Sequence, residues 1–539
     1  MNKNITSSVL LILVLFINTV IHAQEIVSYD GAEWQRKENR EEVARIFYGE
    51  VDLAIENMKA RLADQLDKDP ELFFGLALAF AEKKDADKSW QYFEAAIDKG
   101  FPVSRFMVHF PGFETLHNRQ EFKDYIEPYI NKPVHGPRLG AITESNCKIW
   151  LRTWKESDVL ITFYSDQNAL NKITEQKSQS SSKNDYTAVV VIDGLIPDTQ
   201  YHYDVTINGR RSDSLWAMRT LPEEEQPGIF TIGFGACSAY NPEFERIWDT
   251  IAKHDLDLFL ALGDNVYANH PELPDVHRFC YYQRQSRPEF KRLTASVPYI
   301  GVWDDHDFGV NDAYGGPDRY EPAWKVEILE VFKENFANPY YATDGLPGVW
   351  FDFKIGDVHF FMLDGRYYRE GSYVDDAPED ISMLGPYQKE WLKEGLISSE
   401  ATFKVIASPV PWDNDAKGVM AGRYDHWGGY RNEREEIFSF LADNEISGVI
   451  LLSGDRHRHD AWKHERENGY DLYEFNSARL TNIHYHRLMP DAMFGYNEKN
   501  GFAKLIFNTQ AEQPHMIYQI YSIDNELIQM IRVYLHQLI

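Results

Sequence analysis

The sequence predicts an α/β protein whose main body is a layered domain of strands and helices, and three observations carry that expectation. From Phe230 onward, six short apolar runs each lead into a polar cluster: FTIGFGA to Cys237, DLFLALG to Asp264, YIGVW to Asp304, HFFMLD to Asp364, FKVIASPV to Trp412, and ISGVILLSG to Asp455. Amphipathic stretches such as NPEFERIWDTIAKH and LGPYQKEWLKEGLI lie between them. Strands that alternate with helices and carry polar groups at their carboxyl ends place a site along one edge of the sheet. The third observation is that the chain changes character twice before Phe230, so two further units precede this body.

In chain order, the first stretch, MNKNITSSVLLILVLFINTVIHAQ, sets Lys3 before an apolar run from Val9 to Ile17 and ends in small Ala23, the order of a secretory signal peptide. Residues 1–23 are read as that leader, with Gln24 as the mature start; no cysteine near it offers a lipid anchor. Residues 24–131 read as helical. ELFFGLALAFAEKKDADKSWQYFEAAIDKGF gives two amphipathic helices joined near Lys84 to Ala86, and Phe73, Leu76, Ala77, Phe80, Ser89, Phe93 and Ala96 resemble the large and small positions of one tetratricopeptide repeat. A lone repeat must bury its face on something, so a hairpin packed on another part of this chain is as good a reading as a peptide-binding array. Residues 132–222 turn to alternating runs, CKIWLRT, VLITFYS, YTAVVVI and YHYDVTING, which predict a small β-sandwich. DGLIPDTQYHYDV resembles a fibronectin type III strand with its preceding turn. Residues 223–539 form the main domain, in which AKLIFNT, MIYQIYSI and LIQMIRVYL are expected to make an antiparallel finish to a second sheet.

Composition narrows the function. At 539 residues the chain exceeds one ordinary core. Its formal net charge is −29, and loss of the leader with its single charge, Lys3, makes it −30, which excludes nucleic-acid backbone binding as the main activity. The leader's apolar run is short for a membrane span, and no later run approaches the required length. With only Cys147, Cys237 and Cys280, an exported chain of this size is not built on a disulfide framework.

The chemistry sits in short motifs. LALGDNVY ends an apolar strand in Gly263, presents Asp264 at its tip and places Tyr267 one turn later. A single such turn is common, and its weight comes from the company it keeps. VWDDHDFGVND gathers carboxylates, a histidine and an amide at the next strand end, more polarity than a buried edge collects without cations. LLSGDRHRHDAW follows a third strand with Asp455, His457 and His459 at alternating positions, which an extended segment turns to one side. GFGACSAY sets Cys237 after a strand and a glycine, where a cysteine alone is usually inert packing.

Taken in order, GACS, GDNVY, WDDHDFGVND, LDGRYYR, LGPYQKEWL and SGDRH resemble the PhoD-like alkaline phosphatases and phosphodiesterases, a branch of the calcineurin-like metallophosphoesterases. The likeness runs from about Val134 to the C-terminus. It implies a calcineurin-like β-sandwich flanked by helices. It also implies a two-metal site in which Cys237, Asp264, Tyr267 and His457 hold a ferric ion. Asp264 would bridge to a second, harder cation, expected to be calcium, near Asp305, Asn311 and Asp455; magnesium, manganese and zinc are the alternatives. Ligand softness agrees, since thiolate, phenolate and imidazole suit iron whereas carboxylate and amide oxygens suit calcium. By the same likeness His306 is the catalytic residue that steadies the transition state or protonates the leaving oxygen, with a structural hydrogen bond as its other reading. Asn311 and Arg366 face the substrate, Arg366 as a bidentate phosphate clamp or, nearly as well, as a salt-bridge partner of Asp364 or Asp305. His459, Arg456 and Arg458 depart from the smaller residues expected after SGD, either adding positive potential at the pocket mouth or pairing with the acidic loops.

The resulting expectation is an exported hydrolase of small phosphate esters, periplasmic or extracellular, that uses metal-bound hydroxide for in-line attack on phosphorus. The competing reading is an inert phosphatase-like domain that binds a protein partner through its helical segment; the complete ligand set speaks against it. Because every expected ligand lies between Cys237 and His457, the helical segment is expected to be dispensable for the chemical step.

Overall fold

The computed structural model describes residues 31–63, 69–372, 380–413 and 425–539, with side chains from residue 39. The expected leader, residues 1–23, lies outside them. Among the described residues no helix is long and apolar enough to cross a membrane.

The helical segment is four longer helices, α1 (Gly31–Phe47), α2 (Val51–Ala63), α3 (Glu71–Glu82) and α4 (Ala86–Asp98), followed by two short ones, α5 (Glu114–His117) and α6 (Gln120–Ile126). The break between α3 and α4 falls where the sequence predicts it, and Asp85 caps α4 by accepting the Lys88 N–H at 3.1 Å. Leu76, Ala77, Ser89, Phe93 and Ala96 are fully buried. The apolar face of α3 continues onto the rest of the chain, with the Phe74 and Phe279 rings 5.9 Å apart.

Eight strands follow: β1 (His135–Ile142), β2 (Asn146–Arg152), β3 (Asp158–Tyr164), β4 (Lys172–Gln179), β5 (Thr187–Asp193), β6 (Gln200–Ile207), β7 (Arg210–Arg211) and β8 (Trp216–Arg219). They form a sheet of order β1-β2-β5 and a second of order β4-β3-β6-β7, with β8 also on β6. Alternation holds where one face is covered, as in β5, where Val190 and Ile192 are buried and Val189 and Val191 exposed. The sandwich is tied to the main domain by Trp150 Nε1, which donates to the Glu334 carbonyl at 2.9 Å, and Tyr203 Oη, which donates to the Ala295 carbonyl at 2.7 Å.

The main domain begins with β9 (Ile229–Gly235), α7 (Ile247–Ile251), β10 (Leu258–Leu262), α8 (Pro274–Gln285), α9 (Pro288–Thr294), β11 (Tyr299–Val302), α10 (Asp305–Phe308) and α11 (Trp324–Asn335). It continues with β12 (Phe351–Ile355), β13 (Val358–Met362), α12 (Gly385–Ser398), β14 (Phe403–Ala407), α13 (Arg431–Asp443), β15 (Val449–Ser453), β16 (His459–His464), β17 (Leu472–Ser477) and β18 (Phe494–Tyr496). It ends with β19 (Gly501–Asn508), β20 (His515–Ser522) and β21 (Leu527–Tyr534). Two sheets result, of order β11-β10-β9-β19-β20-β21 and β12-β13-β14-β15-β17-β16-β18. They face each other across an aromatic core in which Phe475 and Tyr518 stand 4.5 Å apart and Phe360 and Phe507 5.9 Å. The mixed α/β expectation holds. One assignment is corrected: the terminal strands complete the first sheet, not the second, because β19 pairs antiparallel with the edge of β9 that β10 leaves open.

Candidate metal centre

The parallel strands β9, β10 and β15 are buried throughout their cores, so their chain direction ends at one rim and delivers the next residues there. Glycines make the approach close enough. Gly263 has φ +91°, and a Cβ on it would lie 2.4 Å from that of Asp304; a Cβ on Gly454 would meet the carbonyls of Leu262 and Pro409 at 2.8 Å. The residues that follow are bent too. Cys237, Asp264, Asp455 and His457 have φ of 58°, 49°, 68° and 45°, a left-handed backbone that only surrounding structure sustains in non-glycine residues, at about 1–3 kcal/mol each.

Three groups of side chains at this rim have ligand atoms close enough to share a cation: Cys237, Asp264 and His457; Asp264, Asp305 and His306; and Asp305, Asp312 and Asp425. Asp264 and Asp305 each belong to two of the groups, so the three form one chain of donors. Cys237 Sγ lies 3.5 Å from Asp264 Oδ2, to which Tyr267 Oη donates at 2.7 Å. The His306 N–H reaches Asp305 Oδ1 at 3.0 Å and Asp264 Oδ1 at 3.3 Å. Its ring stacks on Tyr267 at 4.3 Å, and its Nδ1 meets Asn269 Oδ1 at 2.5 Å, which assigns the proton to Nδ1 and turns Nε2 the other way. The Asp312 N–H donates to Asp305 Oδ2 at 2.6 Å.

Whether these residues fit metal ions is tested by what they lack. Among the described residues buried His457 has no hydrogen-bond partner at Nδ1, and a buried imidazole nitrogen without a partner is costly unless a cation takes its lone pair. Burial pushes the Asp264 carboxyl far above its usual range, and Asp305, Asp304, Asp307 and Asp455 add to the rise. Burial, then the Asp264 charge, does the same to the Cys237 thiol and the Tyr267 phenol, and burial with His484 and His486 drives His457 far down. The carboxyl, thiol and phenol are thus disfavoured in their deprotonated, metal-binding forms, a preference that a polyvalent cation reverses, while His457 is held neutral with a lone pair to give. The donors fit.

The acidic side carries its own compensation. Arg366 donates from Nη1 and Nη2 to both oxygens of Asp425 at 2.8 and 2.9 Å and from Nε to Asp304 at 2.6 Å, and Arg369 pairs with Asp425 at 2.5 Å. Although burial opposes it, Arg366 and Arg369 hold Asp425 far below the usual carboxylate range. Asp305 is also lowered against its burial, by His306 and Arg366. Burial pushes Asp312 up to about 7 and Asp455 to about 8.

Cys237, Asp264, Tyr267, Asp305, His306 and His457 are thus brought together. Asp455 lies beside them, its carbonyl 3.4 Å from Cys237 Sγ, with its carboxylate 3.1 Å from Arg456 Nε. Asn311 is exposed at the rim, next to Asp312. Arg366 is a correction. Its guanidinium is fully buried and committed to Asp304 and Asp425, so it braces the acidic loops and presents no phosphate clamp; the partner is neither Asp364 nor, at 3.9 Å, chiefly Asp305. His459 turns away to Ser477, and Arg456 and Arg458 pair with acidic neighbours, Arg458 reaching Asp460 at 2.5 Å. Asp312 closes the WDDHDFGVND motif and Asn269 lies two residues past GDNVY, and their polarity was the available signal. Asp425, His484 and His486 were missed; the two histidine rings lie 5.0 and 5.1 Å from that of His457. So was Arg40 of α1, whose Nη1 donates to the Tyr267 carbonyl at 2.6 Å, so the helical segment touches the loop that carries a candidate ligand.

Comparison with known proteins follows the same geography. Residues 232–485 match the family model described as PhoD-like phosphatase, and residues 131–223 match a domain of unknown function, DUF7800. Alkaline phosphatase D of Bacillus subtilis (strain 168) is 26% identical over 311 residues, 50% of this chain and 52% of that protein. Purple acid phosphatase 23 of Arabidopsis thaliana is 23% identical over 288 residues, 48% of this chain and 56% of that one. The chain therefore spans about half the length of these curated relatives. A solved structure of PhoD superposes with a TM-score of 0.61 at 19% identity, covering 74% of this chain and 88% of its own. The purple acid phosphatase PPD1 from yellow lupin (Lupinus luteus) gives 0.55 at 13% identity, covering 75% of both chains. At these identities the structural likeness speaks for the fold.

Proposed function

We propose, from the premise that residues 232–485 are a PhoD-like phosphatase domain, that the chain hydrolyses small phosphate esters at a two-metal centre whose shared ligand is Asp264. The observation that carries this reading is the junction of two donor sets on that carboxylate, Cys237 and His457 on one side and Asp305 on the other, with His306 beside them. When bound, two cations polarise the phosphate oxygens and lower the pKa of water. The residues then divide the work. Cys237, Tyr267 and His457 are assigned to a ferric ion, and Asp305 with Asp455 to a harder cation, calcium in the first instance. His306, its Nδ1–H tied to Asn269, gives the leaving oxygen a proton from Nε2 when the ring is the imidazolium, a transfer typically worth about a hundred- to ten-thousand-fold in rate. Asn311, exposed at the rim, is assigned to the substrate. Export to a periplasm or the medium rests on the leader-like first 23 residues alone.

Elemental analysis of the purified chain, paired with a panel of chromogenic phosphomonoesters and phosphodiesters, tests this reading. Two metal equivalents and hydrolysis abolished by chelation are expected. Protein that takes up two metals and cleaves none of the esters would leave the inert alternative standing; protein that takes up none would remove the centre itself.

A further inference from the structure

The loop from Asn265 to His270 carries Tyr267, the candidate phenolate, and Asn269, the acceptor that orients His306. On the sheet side it is well held: the Asn265 amide donates to the Val302 carbonyl at 2.9 Å and to Asp307 at 2.5 Å, and the Ala268 N–H to the His306 carbonyl at 3.0 Å. Its outer side faces α1. There Arg40, 8% exposed, donates from Nη1 to the Tyr267 carbonyl at 2.6 Å, and Glu41 meets His270 Nε2 at 3.0 Å. Arg40 is in turn held by Glu41 Oε1, at 2.6 Å from Nη2 and 3.1 Å from Nε. Between the loop and α1 the packing is incomplete, with a cavity lined by Arg40, Tyr240, Val266, Tyr267 and Cys280. A loop with room beside it on that side shifts when the side chain that bridges to it is removed.

The helical layer that carries α1 is itself anchored to the main domain. Arg105 forms a buried bidentate pair with Glu71 of α3 at 2.6 and 3.0 Å, and its guanidinium lies 5.0 Å from the Phe279 ring of α8. Phe110 packs against Tyr282 of the same helix at 5.2 Å. The helical layer is thus fixed to the element that follows the loop, and Arg40 spans the remaining gap.

We propose that Arg40 is a positioning residue for the metal centre: from a helix outside the phosphatase domain it fixes the Tyr267 carbonyl, and so holds both the phenol and the Asn269–His306 pair at their places. This rests on the reading that Tyr267 and His306 serve a metal pair. It assigns the N-terminal helices a part in the centre and withdraws the expectation that they are dispensable for the chemical step.

The test uses the full chain with Arg40→Ala, Arg40→Lys and, as a control on the same helix, Arg45→Ala, whose side chain forms an exposed pair with Glu50 in the turn that follows. Amide hydrogen exchange of residues 264–270 is followed in metal-free protein, ferric-ion uptake through the phenolate charge-transfer band, and kcat and KM on a chromogenic diester. Loss of one such hydrogen bond is expected to speed exchange of the loop about tenfold and weaken ferric binding by a similar factor, while exchange in β9–β11 stays unchanged. In Arg40→Ala kcat falls with KM nearly constant; Arg40→Lys, which keeps one donor, recovers part of each change, and Arg45→Ala matches the parent. Loop exchange and a ferric band in Arg40→Ala equal to the parent's overturn the proposal. If the parent takes up no ferric ion, the metal reading falls, and unchanged loop exchange in Arg40→Lys and Arg40→Ala separately removes the restraint.

Discussion

The two flanks of Asp264 meet the same electrostatic problem with different means. On one, the Cys237 thiol and the Tyr267 phenol are buried with protons where a ligand needs lone pairs, His457 is held neutral, and no fixed positive group among them favours the deprotonated thiol or phenol. On the other, Asp304, Asp305 and Asp425 stand among the guanidinium groups of Arg366, Arg369 and Arg456, so part of the compensating charge belongs to the protein. The difference teaches that the first flank depends on its ion for a stable charged state, whereas the second is a preformed ionic network that a cation joins. Softness of ligand and absence of fixed cations go together: three adjustable donors select a metal, while a rigid lattice of carboxylates and arginines shapes the pocket.

The comparison breaks most completely at the residue both flanks share. Asp264→Asn is expected to lose both metals and bring hydrolysis to background, whereas Cys237→Ser on one flank alone lowers bound iron and turnover in parallel. Metal content by elemental analysis decides it, and an Asp264→Asn protein with two metals and near-parent activity contradicts the sharing. His306→Gln comes next, with both metals retained and kcat lowered about a hundred- to ten-thousand-fold. If instead a metal leaves with the imidazole, His306 is a ligand and the division of labour is drawn wrongly.

Arg366→Leu sharpens the contrast between the flanks, because it leaves Asp304 and Asp425 buried without their principal counter-ion. Breaking a buried pair in this way costs about 3–5 kcal/mol, so the midpoint of denaturant unfolding should drop before any change in KM is seen. A stable variant with raised KM would restore the phosphate-clamp reading. The smallest effect concerns His277, fully buried on α8 between the helical layer and the sheet, whose burial lowers its pKa to about 3. An unfolded histidine takes its proton near pH 6.5, so between that value and about 3 the unfolded chain binds more protons, and stability falls as pH drops. The slope from this one residue is up to about 1.4 kcal/mol per pH unit, and His277→Gln should flatten the unfolding curve between pH 6.5 and 4 by that amount.

Much of the rim was legible because its signals are local. An apolar run, a glycine and a polar cluster within a few residues declare both the strand and what its end presents, and Asp264, Asp305 and His457 stood out that way, whereas Cys237, inert packing by its local signal alone, was marked by the family resemblance. Asp425 was not, since its meaning comes from Arg366, 59 residues away, and Arg369, and no spacing announces such a pairing. Arg366 itself was misplaced for the complementary reason: a guanidinium's affinity for oxyanions does not say whether the anion is substrate or protein. Arg40 is 227 residues from the carbonyl it holds and sits in a helix whose pattern reports only amphipathicity. The terminal strands were recognised as strands but assigned to the wrong sheet, because periodicity tells which residues face a core and not which edge lies open.

The left-handed turns at Cys237, Asp264, Asp455 and His457 also bound the mutational routes open to the centre. β-Branched side chains fit that conformation badly, while glycine, asparagine and aspartate enter it most readily. Drift at these four sites is therefore channelled toward amides, acids and glycine, so that a descendant losing its metals should carry asparagine or glycine there long before valine or threonine. The geometry of the backbone, independent of any ion, writes the alphabet from which this corner of the protein can be respelled.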